Sequence, residues 1–308
     1  MRKIFLVPLI LIIIGLCIGL AGWALAGGAA GFWIDRHGVH SSGIAKGKLV
    51  SIDETFTSYR SIDVRAGYFD RIVLTEGDAY AVRGATYERY GKTDIRIDGD
   101  TLKIDSKHNK RWPFVNFGFD DFWNNKDVYL EIIYPKGVTL DSVYVSLAAG
   151  KIDAGNIDAA QLNIHNSAGN VEISNVRADV FTATLSAGDM HVRDIKTKNF
   201  SASLTAGDIR VDNVDADNVT VKNSFGKIRL DRLVFTSDCD ISSSAGDVDI
   251  RLDMSEDDIS YDLSVSAGNV MVNGRDYSSG VLGSARGGTG EARLSISNSV
   301  GDIRVDFR

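Results

Sequence analysis

A short phrase recurs along the chain: "SAGNVEISNV" from Ser167, "SAGDMHVRDI" from Ser186 and "TAGDIRVDNV" from Thr205. Aligned on the glycine, it places Gly150, Gly169, Gly188, Gly207, Gly226, Gly246, Gly268 and Gly301 in one series, at intervals of 19, 19, 19, 19, 20, 22 and 33 residues. A sustained period near 20 predicts a solenoid, because each repeat is one turn that cannot bury its apolar side alone.

The residues between the glycines decide what kind of turn this is. Two and four positions past the glycine stand pairs such as Val171/Ile173, Met190/Val192 and Ile209/Val211; twelve and fourteen past it stand Leu162/Ile164, Phe181/Ala183 and Phe200/Ala202. Period-two alternation rich in β-branched residues signals strands, and no stretch of the repeat shows helical spacing. The expected fold is therefore all-β, a β-solenoid of ~19-residue coils with two or three short strands each. Equivalent strands should stack in parallel about 4.8 Å apart. Parallel crossovers imply a right-handed β-helix.

Each turn residue carries its own expectation. The glycine should turn the corner at positive φ, in the left-handed helical region. The preceding alanines (Ala149, Ala168, Ala187, Ala206, Ala245 and Ala267) should fit a crowded bend. Ser167, Ser186, Thr205, Ser224, Ser244 and Ser266 should form a hydroxyl ladder bonding coil to coil, and Asn156, Asn175, Asp194 and Asn213 a second ladder at repeated turns.

The S-A-G-[DN]-[IV]-x-[IV] turns resemble the bacterial β-strand-repeat "putative adhesin" family, also called domain of unknown function 4097. The upstream segments "FTSYRSIDVRAGYFDRIVLTEGD", "DGDTLKID" and "DVYLEIIYPKGVTLDSVYV" match it in style, so the similarity spans roughly residues 50 to 308. The resemblance implies a membrane-anchored envelope protein with a binding role. It supplies no catalytic residues.

Before the repeats, Ile4 to Ala26 is a run of 23 residues without a charge. As a helix this is ~35 Å long at ~1.5 Å per residue, enough for a hydrocarbon core of about 30 Å. Arg2 and Lys3 precede it, so the N-terminus is expected in the cytoplasm and the solenoid outside. Ala24-Leu25-Ala26 offers a signal-peptidase alternative, although the apolar run exceeds a usual signal core. Residues 1–30 thus read as a transmembrane anchor, 31–48 as a juxtamembrane linker, 49–145 as an irregular β cap with the first coils, and 146–308 as regular repeats. Within the cap, "TDIRIDGDTLKID" predicts a hairpin with Ile95/Ile97 facing Leu102/Ile104. A net charge of −7 and a pI near 5.3 exclude nucleic acid as a partner class. Cys17 lies in the apolar run and Cys239 in the repeats, so neither a disulfide nor a thiolate metal cluster is expected.

Two columns could carry chemistry. One past each glycine stand Lys151, Asn170, Asp189, Asp208, Lys227, Asp247, Asn269 and Asp302; three past it stand Asp153, Glu172, His191, Arg210, Arg229 and Asp249. Lysine and asparagine interrupt the first, which reads as a solvated turn ladder rather than a calcium site, so no metal or cofactor is expected. The second could offer a glycosidase carboxylate pair, but alternating charge on an exposed sheet is ordinary cross-strand pairing. The five histidines occupy unrelated offsets. No catalytic residue is assigned. The remaining candidate is "RWPFVNFGFDDFWNN", residues 111–125, where Trp112, Phe114, Phe117, Phe119, Phe122 and Trp123 either cover the solenoid end or form an exposed patch. The expected function is a non-enzymatic envelope binding or scaffold protein, adhesin-like, with the membrane and an envelope protein or glycan as partners. An envelope-stress or regulatory component and a glycan-active β-helix enzyme are the alternatives.

Overall fold

The computed structural model describes residues 48–67, 69–88, 92–106, 128–279 and 282–308, together with the backbone of a short antiparallel pair, Phe32–Asp35 and Gly38–Ser41. The apolar N-terminal run and the aromatic stretch 111–125 lie outside the described residues. Among the described residues no helix is long and apolar enough to cross a membrane. The fold is all-β and solenoid-like.

Four long strands, Lys151–Ala168, Val171–Ala187, Met190–Ala206 and Ile209–Phe225, form its regular part and pair in parallel. The register follows the repeat, with Val171, Met190, Ile209 and Ile228 in one column, 19 residues apart. Within one coil the inward side chains are Val171 and Ile173, then Val176 and Ala178, then Phe181, Ala183 and Leu185, all buried. The alternation skips a residue between these sets, and each skip is a corner. Identical core positions stack on one another; the Phe181 and Phe200 rings lie parallel with centroids 4.9 Å apart.

Two of the corners have different backbones. Asn156, Asn175, Asp194, Asn213 and Arg232 hold φ between 54° and 60°, the left-handed helical region that asparagine and aspartate tolerate. The repeat glycines instead have φ from 114° to 151°, outside that region, where a Cβ is not accommodated. The expected left-handed helical glycine is thus corrected, and the asparagine column occupies that conformation. The crowded-bend account of the alanines is also corrected. Phe225 stacks between Ala206 and Ala245 and is 60% exposed, so the position faces solvent. Crowding is confined to the glycine, where an added Cβ on Gly207 would overlap the Gly188 carbonyl oxygen.

Sequence order and spatial order part company at both ends. Ser61–Ala66 lies between Thr139–Ala149 and Thr101–Ser106, and Arg71–Gly77 lies between Lys151–Ala168 and Tyr129–Pro135. The first coil in sequence is therefore the second in space. In the outermost coil, Ser106 and Val128 flank the corner where the repeats carry their glycine. Antiparallel strands complete this end. Tyr80–Tyr87 pairs with Leu49–Phe56 and Tyr129–Pro135, and the expected hairpin forms with Ile95 opposite Ile104 and Ile97 opposite Leu102.

At the other end Ala292–Val300 inserts between Asp238–Ala245 and Ile259–Ala267, and Ile303–Asp306 between Val248–Leu252 and Val270–Val272. Gly301 thus stacks between Gly246 and Gly268. The C-terminal coil is therefore not the last layer in space. Leu282–Gly287 closes that edge, antiparallel to Ile259–Ala267.

Candidate functional site

The corners divide the outside of the repeats into three faces of different chemistry. The first follows the glycine corner and bears both charged columns. Its carboxylates are tied to neighbouring coils. Lys151 pairs with Glu172 at 2.9 Å and Asp153 at 3.0 Å; Arg71 also reaches Asp153. His191 Nε2 and Arg210 both meet Asp212 at 2.9 Å, and Lys227 meets Asp249 at 2.6 Å. Burial pushes the Asp212 carboxyl up, but hydrogen bonds with His191 and Arg210 outweigh it and hold the group below the ordinary aspartate range. Asp249 is shifted the same way, burial being outweighed chiefly by Lys227. A glycosidase acid needs its pKa raised, so these carboxylates are tuned in the opposite direction.

The column one past the glycine brackets the coils. The side-chain Oδ1 atoms of Asn170, Asp189 and Asp208 accept the backbone N–H groups of Asp189, Asp208 and Lys227 at 3.3, 3.2 and 2.8 Å. The expected solvated ladder is thus also a row of backbone acceptors. Among the described residues no group of three or more His, Cys, Asp or Glu could hold a metal ion. Burial pushes the Cys239 thiol up, which leaves it a packing residue.

The second face begins at the left-handed corner. Asn175 donates to Asn156 Oδ1 at 2.5 Å and Asn213 to Asp194 Oδ1 at 2.7 Å, so the second ladder forms as expected. Lys196–Asp215 at 2.7 Å and Lys198–Asp179 at 2.8 Å continue the pairing beside it. A shallow groove of about 470 Å³ runs along this corner, and one of about 520 Å³ along the first face.

The third face is different in kind. Its outward columns read Thr182, Thr184 and Ser186 in one coil, Ser201, Ser203 and Thr205 in the next, and Ser295, Ser297 and Ser299 in the C-terminal coil. Sequence reasoning found only the column nearest the glycine and gave it the wrong task. Ser167, Ser186, Thr205, Ser244 and Ser266 point into solvent. The coil-to-coil bonds come from the residue before that column, where buried Asn166, Asn223 and Asn298 donate to the carbonyls of Gly150, Gly207 and Gly246 at 2.9, 2.9 and 2.8 Å. The other two hydroxyl columns went unnoticed because serine and threonine facing outward look like ordinary strand polarity. The aromatic residues Trp112 to Trp123 lie outside the described residues.

The chain resembles solved structures of the same build. A putative adhesin from Bacteroides fragilis NCTC 9343 is 16% identical, with 84% of this chain and 97% of that one covered and a TM-score of 0.50. A putative lipid binding protein from Parabacteroides distasonis ATCC 8503 is also 16% identical, with the same coverage and a TM-score of 0.44. No functionally curated protein matches the chain. The Toastrack DUF4097 profile matches residues 60–306, from the first coil at one end through the inserted C-terminal coil at the other. With glycine period, parallel register and profile in agreement, the chain belongs to the Toastrack DUF4097 family.

Proposed function

We propose that the protein is a non-enzymatic binding module of the bacterial cell envelope, adhesin-like, held by its N-terminal apolar run with the solenoid outside the cytoplasmic membrane. The observation that carries this reading is the pairing of ionisable groups across successive coils, as at Lys151–Glu172 and Lys196–Asp215. Those groups brace a long surface instead of converging on a reacting atom. The Bacteroides fragilis neighbour, itself named a putative adhesin, supports it. In this reading the coil winds right-handed with one turn per 19 residues, and the aromatic stretch 111–125 remains a cap or a docking patch for an envelope protein or glycan. The test is to express the full-length protein in a non-adherent bacterial host. Protease added outside spheroplasts should digest the solenoid, and the cells should gain attachment to a coated surface. Protection of the solenoid together with unchanged attachment would sink the reading.

A further inference from the structure

We infer that the hydroxyl face binds an extended, uncharged, β-linked polysaccharide lying along the coil stack. The inference rests on the adhesin-like reading and names its ligand class. Three observations on the face carry it.

The first is unused hydrogen-bonding capacity. Thr182, Thr184, Ser201, Ser203, Ser295 and Ser297 are partly or fully exposed and make no side-chain hydrogen bond among the described residues. Parallel pairing sets them on a lattice about 4.8 Å apart along the stack and roughly 7 Å apart across it. Each hydroxyl donates once and accepts twice. Short side chains also lose little rotamer freedom when a ligand covers them.

The second is charge segregation. The other two faces are rows of ion pairs, whereas here Lys222, Asp240 and Asp262 are the ionisable residues in the three hydroxyl columns from Thr182 to Ser299, with Asp238 and Arg293 paired at 3.9 Å on their edge and Asp262 paired with Arg286 at 2.9 Å. A polyanion gains nothing from this face and meets a molecule of net charge −7. An apolar partner, whether lipid or protein, would leave each covered hydroxyl unpaired at about 1–3 kcal/mol. A neutral polyhydroxy chain satisfies the lattice with groups of its own kind. Because a β-1,4-linked sugar advances by close to one strand spacing, successive sugars keep step with successive coils.

The third is what stands at the end of the lattice. In the same columns, toward the N-terminal end, come Asn163 and Tyr144 beside Thr182, and His165 and Ser146 beside Thr184. The Arg65 guanidinium braces the Tyr144 ring at 5.6 Å from its centroid and is itself fixed to Asp63 at 3.0 Å. An aromatic with an amide and an imidazole beside it offers a sugar both an apolar platform and directional hydrogen bonds.

Affinity electrophoresis of the full-length protein tests this, in gels containing β-1,4-glucan, β-1,4-mannan, β-1,4-xylan or soluble chitin, with polygalacturonate as the anionic control. Mobility is read relative to a glycan-free gel. Retardation is expected with at least one neutral glycan and none with polygalacturonate. The double variant Thr184→Lys, Ser297→Lys should run unretarded. Lys222 already stands in that column, so lysine is compatible with the fold, and an unchanged melting curve checks it. Tyr144→Ala should weaken binding about tenfold. Indifference of the wild type to all four neutral glycans, or equal retardation of the lysine variant, overturns the inference. Cells that attach while the purified protein ignores every glycan would remove this ligand class and leave the adhesin-like reading standing. Retardation without cell attachment would do the reverse.

Discussion

The solenoid turns the chain at two kinds of corner, and they differ in what they tolerate. At the glycine corner the φ values of 114° to 151° and the carbonyl of the preceding coil leave no room for a side chain. Eight of the stacked coils carry a glycine there. At the other corner φ near 55° admits Asn156, Asn175, Asp194, Asn213 and even Arg232. Both corners turn the chain, but at the first the place a Cβ would take is already filled by the carbonyl of the neighbouring layer. Backbone angle and the neighbouring carbonyl together make glycine obligatory at the first corner.

Substitutions test this contrast. The largest effect is expected from Gly207→Ala, which meets both an unfavourable φ and the Gly188 carbonyl and should cost at least about 3 kcal/mol. Urea titration of the purified protein measures it. A loss below that of an alanine at the left-handed corner would make the two corners equivalent.

Next in size is Asn223→Ala, which removes the buried bond to the Gly207 carbonyl and leaves a void, for about 1–3 kcal/mol. Asn223→Leu should cost less, since Leu185 and Leu204 fill the same column in the two preceding coils. If both changes cost the same, the amide bond does not support the corner.

A smaller effect belongs to acid. Asp212 has a folded pKa below its unfolded value of about 4, so its contribution is present above that value and lost as pH falls through the folded one. Asp212→Asn should lower stability by about 1 kcal/mol at pH 7 and flatten the acid limb of the stability curve. A steeper acid limb in the variant would contradict the pairing with His191 and Arg210.

The smallest change should be a gain. Arg232 holds the left-handed conformation without a ladder partner among the described residues, and Arg232→Asn should stabilise by about 0.5 kcal/mol in a thermal melt. A destabilising outcome would mean that the second corner is less tolerant than its residues suggest.

Much of this was legible in the sequence where physics repeats itself. The glycine period, the alternation at Val171/Ile173 and the hairpin at Ile95 and Ile104 announced strands, parallel stacking and a turn, because each is local or periodic. The order of layers was not legible. Near-identical coils offer near-identical edges, so nothing in "SVGDIRVDFR" says that Gly301 stacks on Gly246 rather than beyond Gly268. The alanine at position 206 misled for a related reason. Small size suggested crowding, whereas its neighbour Phe225 shows that the position opens to solvent. The hydroxyl face was hidden in plain alternation, since Thr182 or Ser203 alone is an unremarkable outward residue.

The inserted C-terminal coil gives the molecule a built-in deadline. A repeat array can ordinarily add layers as the chain emerges, each completed coil serving as template for the next. Here that run halts at the layer ending in Leu252. Ile259–Ala267 has Leu282–Gly287 as an antiparallel neighbour, but it joins the stack only when Ala292–Val300 has been made and threaded against Asp238–Ala245. Ala292–Val300 and Ile303–Asp306 are thus the strands that seal two layers at once. A chain cut short anywhere after Leu252 leaves an open parallel edge instead of a slightly shorter solenoid, and such edges are what proteases and aggregation find first.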